Sequence, residues 1–160
     1  MAMVTANDIP PLAYPDGWPK PPSTLEIIGR WIPVLGWMVS AALASRRLRP
    51  GSVAILEQLQ RRAEIPGGVW PDAHKADVAK RIIQCCTDAC CWDHPRFAPR
   101  DPFEIIIQWQ TGDLCELEAI MNIEDAFSLK MDDNTVQILL RMTLLEVVDY
   151  VIDHSSGAAI

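Results

Sequence analysis

The sequence of 160 residues predicts an all-α protein, and three observations carry that reading. Apolar residues recur at three- and four-residue spacing in successive segments from Ser52 toward the C-terminus, the period of a helix with one buried face. Two segments, Ser23-Thr24-Leu25-Glu26 and Thr143-Leu144-Leu145-Glu146, have the spacing of a capping box, in which a hydroxyl and a glutamate satisfy the amides at a helix start. The hydrophobic fraction, 49%, is that of a globular chain with enough apolar residues to fill a core.

From the N-terminus, residues 1–22 hold Pro10, Pro11, Pro15, Pro19, Pro21 and Pro22. These deny backbone donors and favour extended conformations, so the segment is predicted to be an extended arm. The capping box at Ser23 predicts a short helix after it. Trp31 to Ser45 carries no charge but contains Pro33 and Gly36 and is followed by Arg46, Arg47 and Arg49. It falls short of the ~20 apolar residues a membrane-spanning helix needs. Trp31, Leu35 and Trp37 are expected to pack on the rest of the protein or on a second copy of it rather than in lipid, so membrane association is not expected. Pro50-Gly51 is a turn. Ser52 is placed to cap a helix through about Ala63, with Leu56, Leu59 and Ala63 on one face and Val53 or Ile55 extending it.

Ile65-Pro66-Gly67-Gly68 ends that helix and is the best linker in the chain. Asp72 or His74 opens the next, running to about Trp92 with Val78, Ile82, Cys85 or Cys86 and Ala89 on one face. Pro95 to Pro102 is a loop. Phe103 to Trp109 is apolar but broken by Glu104 and Gln108, and periodicity alone leaves strand and buried loop open. Asp113 and Glu116 have capping-box-like spacing ahead of a stripe of Leu117, Ile120, Met121 and Phe127. Asp132 or Asp133 caps a short helix containing Val136, Leu139 and Leu140. The box at Thr143 opens the last helix, with Met142 and Val147 as a hydrophobic staple and Leu144, Val147, Val148 and Val151 turned inward. The domain organisation read from these signals is an arm over 1–22, a helical extension over 23–70 and a helical bundle over 71–160.

The net charge of −7 is unevenly placed. From Gly112 onward ten acids stand against Lys130 and Arg141, whereas residues 1–111 are close to neutral. An acidic C-terminal part repels phosphate backbones and favours basic protein patches, so nucleic acid is not an expected partner. The cysteine count is odd, and four of the five lie in Cys85, Cys86, Cys90 and Cys91. This is no disulfide framework and points to a reducing, cytoplasmic setting. Met1 leads into Asp8, Asp16 and prolines rather than a basic start and an apolar core, so no secretory signal is expected.

Cys86, Cys90 and His94 are four apart and would line one helix face as metal ligands, with Cys115 as a fourth. Buried cysteines acting as small apolar residues are the commoner arrangement, and no metal is expected. His74, His94 and His154 are scattered, and neither a glycine-rich phosphate loop nor a nucleophile elbow is present, so no catalytic set emerges and the chain is not read as an enzyme.

Gly112-Asp113-Leu114-Cys115-Glu116, the run Leu117-Glu118-Ala119-Ile120-Met121-Asn122-Ile123-Glu124-Asp125-Ala126-Phe127, and Met142 to Tyr150 together resemble the second to fourth helices of acyl carrier proteins. The resemblance implies a four-helix acyl-carrier-like bundle whose first helix is the one beginning near Asp72. It also implies a long connection after that helix, hence an extended loop with Phe103, Ile105 and Ile107 or Ile106 turned inward. In that family the serine of an Asp-Ser-Leu triplet carries a phosphopantetheine arm. The ungapped match puts Leu114 on the triplet's leucine and Asp113 on its serine. A carboxylate cannot form the phosphodiester, and a shifted alignment finds Ser128 after the helix and Thr111 too early, so no phosphopantetheine is expected. The family's second helix docks on basic patches of its enzymes, which implies partner-binding roles for Glu116, Glu118, Met121, Glu124 and Asp125. The expected function is an acyl-carrier-like binding or protein-interaction module without the arm. The alternatives are a functional acyl carrier protein in lipid or polyketide-type biosynthesis, and a membrane-peripheral or self-associating structural protein using Trp31, Leu35 and Trp37.

Overall fold

The computed structural model of the chain describes residues 5–15, 51, 53–107 and 113–155. The capping box at Ser23, the segment holding Trp31, Leu35 and Trp37, the arginines 46, 47 and 49, and the expectations for Ser52 and Thr111 lie outside the described residues. The described residues are mostly helical, with no strand among them. The helices are α1 (residues 53–61), α2 (Ala73–Cys90), α3 (Phe103–Ile107), α4 (Asp113–Phe127), α5 (Asp133–Leu139) and α6 (Leu144–His154), with 3-10 turns at Ala6–Asp8 and Gly67–Val69.

Helix α2 starts where a carboxylate can hold its first free amides: the Asp72 side chain accepts from the Lys75 N–H at 2.8 Å. Its buried face is Val78, Ala79, Ile82, Cys86, Ala89 and Cys90, as the spacing predicts. It ends at Cys91, a non-glycine residue in the left-handed region (φ 53°), a conformation that costs roughly 1–2 kcal/mol. Beyond that turn Trp92 is buried, its indole N–H donating to the Ile106 carbonyl at 2.9 Å and its ring meeting Phe97 edge-on at 5.2 Å. The tryptophan's burial offsets the strained turn.

Helices α4 and α6 both pack on α2, α4 more extensively. The Asp132 carboxylate accepts from the Thr135 N–H at 2.8 Å and opens α5. A complete capping box between Thr143 and Glu146 opens α6, which buries Leu144, Val147, Val148 and Val151 as expected.

Three expectations need correction. Phe103 to Ile107 is a short helix, not an extended loop, and both Ile106 and Ile107 are buried along with Phe103 and Ile105. A buried extended loop would leave amides unsatisfied, whereas here the Phe103 N–H reaches the Met142 carbonyl (2.9 Å) and the Ile105 N–H the Pro102 carbonyl (3.1 Å). A helix apolar on nearly every side is one surrounded by protein. In α4 the buried stripe is Ala119, Ile120, Ile123 and Phe127, whereas Leu117 and Met121 face solvent. The first helix ends at Arg61, short of Ala63, which is exposed; Val53 points outward, and the inward positions are Ile55 and Leu59, with Arg62 turned inward just past the helix end.

Leu12, Ile55 and Leu59 belong to the same buried cluster as the inward faces of α2 to α6. A second, smaller cluster joins Ile9, Val69 and Ala98, so the chain after Pro66 folds back onto the body at Val69.

Candidate functional site

The residues expected to meet a partner lie on α4, which begins at Asp113; the side chains of Asp113 and Leu114 lie outside the described residues. Because Ile120, Ile123 and Phe127 turn toward α2, the positions between them turn outward. Leu117 is 54% and Met121 52% exposed, one turn apart, with the exposed Glu118 and Asp125 on the same side at helical spacing. Glu116 is half-buried.

Glu124 differs from the others. Its carboxylate accepts from the Met131 N–H at 2.6 Å and holds the chain where it reverses, just after Ser128 adopts the left-handed region (φ 54°). That carboxylate is committed to the turn leading into α5.

Beside this face an open groove of about 400 Å³ runs between α2 and α4. Among the described residues its lining cation is Arg81, which is anchored across the helices: it donates to the Ala126 carbonyl at 2.6 Å and lies 4.5 Å from the centre of the Phe127 ring. The Cys85 thiol meets the Asn122 carbonyl at 3.6 Å on the same seam. These contacts join α2 to α4, and the charge left to recognise a partner is the carboxylate of Asp125 and Asp88.

Cys86 and Cys90 are in the core, but His94 does not share their helix face. The helix stops at Cys90, and His94 falls beyond the left-handed turn, exposed. The Cys90 and Cys115 sulfurs both point at the Ile107 carbonyl, at 3.5 and 3.4 Å. Burial pushes the Cys86 thiol up, and the neighbouring Cys115 thiol, together with burial, pushes Cys90 up. Both are held as thiols rather than as thiolate ligands. Among the described residues, no group of three or more histidine, cysteine, aspartate or glutamate side chains is placed to hold a metal ion. No helix among them is long and apolar enough to cross a membrane.

Among the described residues, the densest polar bonding lies at a buried carboxylate that no motif in the sequence singles out. Asp101 is fully buried and takes four hydrogen bonds. Its Oδ1 accepts from the Leu12 N–H (2.8 Å) and Arg62 Nη2 (3.0 Å), and its Oδ2 from the Ala98 N–H (2.6 Å) and Arg62 Nη1 (2.6 Å). The fork-to-fork pairing is the geometry that best neutralises a guanidinium out of water. Arg62 also donates to the Arg96 carbonyl at 3.0 Å and the Pro10 carbonyl at 2.6 Å. The one available signal is that Arg62 stands seven residues after Ile55 and three after Leu59, on an otherwise apolar face. These four bonds engage both carboxylate oxygens and tie Arg62, the N-terminal segment and the loop at Ala98 together.

The chain matches no protein-family model, no curated protein and no solved structure.

Proposed function

We propose that the chain is a non-catalytic protein-interaction module, an acyl-carrier-like four-helix bundle of α2, α4, α5 and α6 that lacks a phosphopantetheine arm and presents α4 to a basic patch on a partner protein in the cytoplasm. The observation that carries the reading is the outward face of α4. Two large apolar side chains, each more than half exposed, sit on consecutive turns beside Glu118 and Asp125. A contiguous apolar pair rimmed by like charge is what an interface offers before it is covered, and the carboxylates select a basic partner while repelling nucleic acid. The order of helices and the caps at Asp132 and Thr143 support the bundle reading. Asp113, at the start of α4, supports the absence of the arm, since it has no hydroxyl to modify.

Two measurements test this. Intact mass after co-expression with a broad-specificity phosphopantetheinyl transferase is expected to match the unmodified chain. One added arm on any residue from 111 to 128 would restore the alternative of a functional carrier. In the source cells, cross-linking mass spectrometry should recover a partner through α4 and lose it when Leu117→Glu and Met121→Glu are combined. Retention of that contact by a variant with unchanged helicity would place the interface elsewhere.

A further inference from the structure

We propose that the cleft between α1 and the loop from Arg96 to Glu104 is a peptide-recognition site for an extended, proline-led segment of a partner protein, and that the chain's own residues 10–14 occupy it. This inference does not rest on the α4 reading.

Residues 10–14 contain neither helix nor strand, and their backbone bonds go instead to side chains of the body. The Arg62 guanidinium donates to the Pro10 carbonyl at 2.6 Å, and the Asp101 carboxylate accepts from the Leu12 N–H at 2.8 Å. The Gln58 amide grips Ala13 at both ends, accepting from its N–H at 2.8 Å and donating to its carbonyl at 3.0 Å. Side chains that read successive backbone groups of an extended chain are how peptide-binding grooves work, with pockets for alternate side chains giving specificity.

Here the pocket takes Leu12, which is 3% exposed and part of the main core cluster. Tyr14 adds a second point of choice. Its hydroxyl donates to Glu104 at 3.1 Å. Partial burial and then the Glu104 charge push the phenol up to about 12, so it remains a donor at neutral pH. Pro10 and Pro11 bias the segment toward the bound conformation and lower the entropy lost on docking.

Much of the bonding that shapes the site comes from outside this segment. Three of the four bonds on Asp101 come from Arg62 and Ala98, and Arg62 is further fixed by the Arg96 carbonyl. What residues 10–14 add is one acceptor for Arg62, one donor for Asp101 and a partner for Gln58, which an outside peptide of the same chemistry supplies equally well. An occupant on the same chain competes as an intramolecular ligand, so the intact chain blocks its own site until the segment is freed or a stronger partner arrives.

The test introduces a site-specific protease sequence between Asp16 and Gly17 of the full chain, cleaves the folded protein and adds a fluorescein-labelled peptide of residues 5–15. The freed segment should co-elute with the body in gel filtration, and the labelled peptide should exchange into it with a rise in anisotropy. A Leu12→Ala peptide should bind on the order of 10- to 100-fold more weakly, the loss expected for withdrawing a leucine from burial. A Gln58→Ala body should also bind the unaltered peptide more weakly at unchanged helicity.

Release of the segment without rebinding, unfolding of the body on release, co-elution without exchange, or equal binding of both peptides would each overturn the proposal. A dimer of the uncleaved chain that exchanges this segment would assign the site to a second copy and overturn the partner reading.

Discussion

Replacing Asp101 by asparagine keeps the side chain's shape, removes its charge and turns one acceptor oxygen into a donor. Each oxygen now takes one backbone amide and one guanidinium N–H. Whichever way the asparagine is turned, one amide and one arm of Arg62 meet an N–H instead of an acceptor. Arg62, with only 9% of its side chain exposed, retains two carbonyls and a neutral oxygen as partners. A hydrogen bond to a charged group contributes about 1.5–3 kcal/mol, so two lost bonds amount to about 3–6 kcal/mol. Removing one member of a buried ion pair is measured at about 3–5 kcal/mol, in agreement. A loss of about 3–5 kcal/mol is therefore expected, a large part of the roughly 5–15 kcal/mol that stabilises a folded domain. Equilibrium urea unfolding followed by circular dichroism reads it directly. Arg62→Met added to the Asp101→Asn background should recover part of the loss, because the unpaired buried charge is then gone. A loss under about 1 kcal/mol, or strict additivity of the two substitutions, would refute the view that these groups meet out of water.

Thr143→Ala should cost about 0.5–2 kcal/mol in the same unfolding assay, since the hydroxyl accepts from the Glu146 N–H at the start of α6; no loss would mean that the helix start is misplaced. Glu146 is held below its ordinary carboxyl value of 4.5 by the Thr143 N–H and hydroxyl. Its stabilising effect is thus present above that value and fades as pH falls through the lower folded one. Glu146→Gln should flatten the acid limb of a stability–pH curve below 4.5 relative to the parent, and parallel curves would show that another carboxylate sets that limb.

The C-terminal helices were legible because their signals are local. Asp132 and Thr143 cap the turns they precede, and Leu144, Val147, Val148 and Val151 face inward at the spacing that makes them a stripe. What escaped depended on distant parts of the chain. Residues 103–107 give no usable period because burial on all sides erases it, and their helical state follows from a bond to Met142. On α4, the sequence offers Leu117 and Met121 as readily as Ile120 and Ile123, and the direction of α2 decides between them. Arg62 reads as a solvated charge until Asp101, 39 residues on, is brought beside it.

The loop between Arg96 and Glu104 has two faces, and they bear on each other. Its backbone serves α6: the Asp101 carbonyl accepts from the Leu144 N–H and the Pro99 carbonyl from the Leu145 N–H, both at 2.8 Å. With the Thr143 hydroxyl on the Glu146 N–H and the Thr143 carbonyl on the Val147 N–H, the four amides that open α6 all have partners. Its side chains serve the N-terminal segment through Asp101 and Glu104. Asp101 thus fixes the start of α6 with its main chain and residues 10–14 with its carboxylate. A change in what fills the cleft therefore meets the Leu144 end of α6 directly through the Asp101 main chain, and α4 through Glu104 and α3, which packs on it.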